Sequence, residues 1–173
     1  MKRGFTLIEI LLTLGIIAVI AAVTTLSLSG RRNTTLLTDT SQQIGTLLRQ
    51  AQSDSMTQSK GATWGVHLDN TTATTPWYSL FYTSNSSYAS STEAGHYALP
   101  AGICYATSSV GSGSTVNIIF SSVSGLPSAT ATITLQLMGG GGCGTSGTGG
   151  SATSVVRTVP GKVFFDDFNR TNL

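Results

Sequence analysis

MKRGFTLIEILLTLGIIAVIAAV (residues 1–23) opens the chain, and the reading of this stretch decides the fold. Lys2, Arg3 and Gly4 precede Phe5, from which an apolar run extends to Leu28. At about 1.5 Å per residue, a helix over 5–28 covers roughly 36 Å, enough to cross a hydrocarbon core of ~30 Å with some tilt. One acid, Glu9, interrupts the run, and nothing else between Arg3 and Arg31 is ionisable. A carboxylate at bilayer depth costs about 2–3 kcal/mol on insertion scales. A plain membrane anchor fits the length but leaves Glu9 unexplained. A cleaved secretory signal has an apolar core of ~7–15 residues, so this run is too long for one.

The rest of the composition narrows the class. The chain has 173 residues, of which 9% are charged and 40% hydrophobic, with a mean hydropathy of +0.19. Ordinary soluble domains carry about 25% charged residues. Ser, Thr and Gly fill the difference, as in many exported proteins. Beyond residue 32, five basic residues face six acids, without a basic block. Nucleic-acid binding draws most of its affinity from clustered Lys and Arg, so nucleic acid is not an expected partner.

The segment KRGFTLIEILLTLGIIAVIAA (residues 2–22) resembles the N-terminus of type IV prepilins and type II secretion pseudopilins. The basic leader, Gly4, Phe5, the acid at Glu9 and the long apolar run carry the likeness. The resemblance implies a leader over 1–4, cleaved after Gly4 by a prepilin peptidase, with Phe5 as the new, N-methylated terminus. Glu9 then becomes the fifth residue of the mature chain. A buried carboxylate is tolerated where it meets an opposite charge. Cleavage supplies one, because the Phe5 amine of one subunit can pair with Glu9 of its neighbour and set the axial register of a helical bundle. The implied partners are other pilin or pseudopilin subunits, the peptidase and an inner-membrane assembly platform. The implied location is the bacterial inner membrane, single-pass, with the N-terminus cytoplasmic and the C-terminal domain outside, and then the pilus or pseudopilus. Major pilins of the family often carry a proline at the position held here by Leu26. Its absence favours a minor subunit over a major one.

A transmembrane and filament-core helix over 5–29 is expected to continue as an amphipathic helix over 30–60. Leu37, Ile44, Leu48 and Ala51 recur at helical spacing, broadened by Leu36 and Leu47, and Gly61 is a stop signal. After Lys60 the period changes to two, over 64–68, 77–83, 115–120, 130–138, 154–159 and 162–165. Ser/Thr/Gly-rich stretches over 84–96, 107–114 and 139–152 are expected to link six or seven strands. The fold class is therefore α+β, type IV pilin-like: a long N-terminal helix packed on an antiparallel β-sheet domain over 61–173. The order of aromatic hairpin, Phe120 strand, SGLPS, TATITLQL and last strand is similar to the GspH/FimT-type minor pseudopilin domain. Some minor pilins of that group bind DNA through a C-terminal Arg-rich motif. The end GKVFFDDFNRTNL has Arg170 but also Asp166 and Asp167, and does not meet it.

Residues able to carry chemistry are few. Cys104 and Cys143 form no CxxC pair; in an exported domain they read as a disulfide, and otherwise as two free thiols. His67 reads as a surface residue of a strand and His96 as a residue near Tyr97 at a loop end, and no zinc spacing surrounds them. Asp166-Asp167 reads as a solvated pair rather than a calcium site. The glycine runs lack the Lys-Ser/Thr of a phosphate loop, and no nucleophile elbow exists. No catalytic residue, metal site or cofactor is expected, and an enzyme is not.

Overall fold

In the computed structural model, residues 6–72, 75–137, 153–159 and 162–169 are described, with the backbone alone for 23–31, 33 and the last two strands. Gly4, Phe5 and Cys143 lie outside these residues, as do the whole of the expected 139–152 linker and the Pro160-Gly161 turn. Two compact units divide the chain, Met1–Thr35 and Leu36–Leu173.

Helix α1 spans Leu7–Met56. In the first unit its large apolar side chains from Leu7 to Ile20 are 52–78% exposed. Among the described residues no helix is long and apolar enough to cross a membrane. The described side chains of the apolar stretch stop at Ala22, and a helix from Leu7 to there rises only about 24 Å. In the second unit the helix turns one stripe inward. Leu37, Thr40, Ser41, Ile44, Leu47, Leu48, Ala51 and Ser55 are buried, at the three- and four-residue steps of one helix face. Two of the buried hydroxyls are satisfied locally, Thr40 Oγ1 donating to the Leu36 carbonyl at 2.7 Å and Ser41 Oγ to the Thr38 carbonyl at 2.8 Å. The α-helix ends at Met56, before the expected limit near Lys60. Gln58 and Lys60 take left-handed backbone around a 3-10 turn at Ser59–Gly61.

Eight strands follow: β1 (Thr63–Asp69), β2 (Trp77–Thr83), β3 (Thr92–Ala98), β4 (Ile103–Tyr105), β5 (Thr115–Ile119), β6 (Thr132–Leu137), β7 (Thr153–Val159) and β8 (Lys162–Asn169). They form two four-stranded sheets, ordered β3-β2-β1-β5 and β4-β6-β7-β8. All pairs are antiparallel. Two strands exceed expectation. β3 lies partly inside the stretch assigned as an 84–96 linker, and β4 is only three residues long. β8 continues through Asp166 and Asp167 as strand rather than as a tail.

Period-two alternation sends Trp64, Val66 and Leu68 of β1, Tyr78 and Leu80 of β2, and Ile118 of β5 to one face of the first sheet. There they meet the buried helix stripe, with Ile103 and Tyr105 of β4 and Ile133 and Leu135 of β6, in one core. Ser55 on the helix donates to the Phe120 carbonyl at 2.6 Å inside this core. Tyr105 Oη donates to the Trp77 carbonyl at 3.0 Å, linking the two sheets. Residues 121–126 fold back onto the helix end, where Gln52 Nε2 reaches the Gly125 carbonyl at 2.9 Å.

Candidate functional site

Two places concentrate unusual chemistry. The first is the helix of unit one. Glu9 sits in its first turn, exposed, among Leu7, Ile8, Leu11 and Leu12. Among the described residues no cation pairs with it. Further along, Leu11, Leu12, Ile16, Val19 and Ile20 rim a shallow apolar depression centred on Gly15. A Cβ built on Gly15 would meet nothing within 4 Å. The surface is therefore a bare apolar helix with one acid near its start and a gap in its side chains.

The second lies on the face of the β3-β2-β1-β5 sheet opposite the core. Contrary to the surface assignment, His67 is 3% exposed. Gly65, His67 and Asp69 share the outer face of β1, and register places Ser79 and Asn117 opposite His67. The Tyr88 ring lies flat on the imidazole, centroids 3.8 Å apart and planes 5° apart, and meets Phe81 edge-on at 4.9 Å. Trp77 fills the next position, 5.0 Å from His67 and stacked 4.2 Å from His96. Tyr88 Oη donates to Glu93 Oε1 at 2.9 Å, and Glu93 Oε2 lies 3.5 Å from His96 Nδ1. His96 itself keeps 54% of its side chain exposed. Burial works against the Asp69 carboxylate, but the Thr71 hydroxyl and amide and the neighbouring His67 outweigh it and hold its pKa below the ordinary value.

Cys104 is fully buried in β4 and disulfide-bonded. Among the described residues no group of three or more His, Cys, Asp or Glu could hold a metal ion. The outer-face cluster escaped the sequence reading, although the His-x-Asp pattern of 67–69 on a strand was its trace. What hid it was the covering turn, whose fold-back no local pattern announces.

Compared with known proteins, residues 1–25 match the prokaryotic N-terminal methylation motif, the prepilin signal of type IV pilin-like proteins. No curated protein matches the chain, and no solved structure does. The motif supports a type IV pilin-like or pseudopilin subunit, which meets other pilin subunits and a prepilin peptidase.

Proposed function

We propose that this chain is a minor pilin or pseudopilin, a structural subunit rather than an enzyme, of a type IV pilus or type II secretion pseudopilus. It is cleaved after Gly4, methylated at Phe5, and held in the inner membrane by residues 5–29 until an assembly platform extracts it. The observation that carries this reading is the apolar helix whose large apolar side chains from Leu7 to Ile20 stand 52–78% exposed. Surface of that kind needs lipid or protein around it, and the methylation motif covers the same residues. Glu9 is the lone acid within it. In an assembled bundle its carboxylate meets the charged amine of a neighbouring Phe5, which fixes axial register where apolar contacts alone would let helices slide. The Gly15 depression is a place where a neighbouring helix can approach closely, as small residues permit in membrane helices.

A GspH/FimT-type assignment rests on the helix followed by antiparallel sheets and on the Leu26 position, where no proline breaks the helix. The test is assembly of Glu9→Val in a strain carrying the machine. Sheared-filament or cross-linking yield is expected to fall at least tenfold while membrane levels stay equal. Equal yield would remove the register role of Glu9.

A further inference from the structure

The outer-face cluster has no part in helix assembly. His67 is buried, yet both of its ring nitrogens face oxygen acceptors. Nδ1 lies 2.5 Å from Asn117 Oδ1 on β5, and Nε2 lies 3.6 Å from Asp69 Oδ2 on its own strand. Neutral imidazole has one N–H and one lone pair. With the proton on Nδ1, as the Asn117 oxygen requires, the Nε2 lone pair points toward a carboxylate oxygen. A second proton, on Nε2, converts that unfavourable contact into a charge-assisted hydrogen bond. It also sets a cation against the face of the Tyr88 ring, which stacks on the imidazole 3.8 Å away.

We propose that His67 is a proton-operated clamp on the turn that carries Tyr88. Proton uptake from solvent at Nε2 draws Asp69 inward and fastens the Tyr88 ring to the sheet; proton loss loosens it. No other bond is made or broken. The groups facing His67 are Asp69 on β1, Ser79 and Trp77 on β2, Asn117 on β5 and Tyr88 on the turn. Ser79, opposite His67 on β2, also engages the Tyr88 hydroxyl. Glu93 and His96 of β3 stand one step further out, reached through the Tyr88 hydroxyl and the Trp77 ring. The clamp thus connects a buried proton to the exposed His96–Glu93 edge, the part of this face open to a partner. Histidine changes charge between pH 5 and 8, the range in which external surfaces vary.

The experiment uses the full chain in detergent micelles, isotope-labelled and followed by NMR from pH 8 to pH 5. The His67 ring resonances are expected to report protonation and the Tyr88 ring resonances to move with them. Amide exchange over residues 84–91, corrected for intrinsic rate, is expected to slow at least threefold on the acid side. Asp69→Asn should cut the Tyr88 response at least threefold, whereas His96→Gln should leave it. Tyr88→Leu, which keeps an apolar side chain over β1, should keep the His67 response and abolish the exchange effect. A His67 ring that does not change over this range overturns the clamp. So does a Tyr88 turn that ignores it, or an exchange effect that survives Tyr88→Leu.

Discussion

Two glycines in the β unit make the sharpest test of the packing, because the same substitution should have unequal effects. A Cβ on Gly65 would lie 2.6 Å from the Ile118 carbonyl oxygen and 2.7 Å and 3.0 Å from Cζ and Cε1 of Phe81. Phe81 is fully buried, and Ile118 belongs to the strand paired with β1. Neither neighbour can yield without parting β1 from β5 or expelling the Phe81 ring. Overpacking of a well-filled core costs about 1–3 kcal/mol when side chains can adjust. With backbone on one side, Gly65→Ala is expected to cost at least ~3 kcal/mol, or about 10 °C in Tm for a unit of this size. Gly125 differs. Its φ is +64° and its Cβ would lie 2.7 Å from Met56 Cγ and 2.8 Å from Sδ. Met56 is 45% exposed and can swing into solvent, leaving chiefly the left-handed backbone term of ~1 kcal/mol. Both variants would be melted in detergent with Trp fluorescence as the signal, beside Gly125→Ala/Met56→Ala, which removes the steric part. A Gly65→Ala protein as stable as Gly125→Ala would refute the register and the placement of Phe81.

Three further outcomes are expected. Leu48→Ala empties a fully buried position where helix meets sheets and should cost about 2–5 kcal/mol in denaturant melts. Burial, helped by Tyr97, raises the Tyr78 pKa to about 12, while burial and then the Glu93 hydrogen bond raise Tyr88 to about 12; burial raises Tyr105 as well. These raised values make a stabilising contribution present below the ordinary tyrosine value of ~10 and lost as pH climbs through the folded value; Tm should start to fall near pH 10, with tyrosinate absorbance rising as the chain unfolds. Non-reducing peptide mapping should yield a Cys104–Cys143 linked peptide, and reduction should lower stability by roughly 4 kcal/mol on the chain-entropy model for a loop of that length.

Where one face of an element alone met the core, the sequence was readable. The stripe of Leu37, Ile44, Leu48 and Ala51 and the alternation of Ile133 and Leu135 reappear as core positions. WYSLFYT is strand β2 from end to end. β3 was partly lost because its residues are mostly exposed and polar, as suits the edge of a sheet. β4 was lost because three residues carry no period. On β1 alternation misled in a different way: every residue from Trp64 to Asp69 is buried, since the Tyr88 turn covers the second face. His67 therefore read as a surface histidine. The methylation motif over residues 1–25 was legible because a motif needs no tertiary fold to be recognised. How Glu9 finds a partner is a property of more than one chain.

The proposed maturation is cleavage after Gly4, followed by assembly through the bare apolar helix. Intact-mass and N-terminal peptide analysis of the protein recovered from membranes of a host with the prepilin peptidase tests it most directly. The expected product is a mature chain that begins with Phe5, one methyl group heavier at its amine, with an uncleaved Met1 form when Gly4 is changed to a bulky residue. A mature terminus at any other residue, or a full-length chain in the presence of active peptidase, would contradict it.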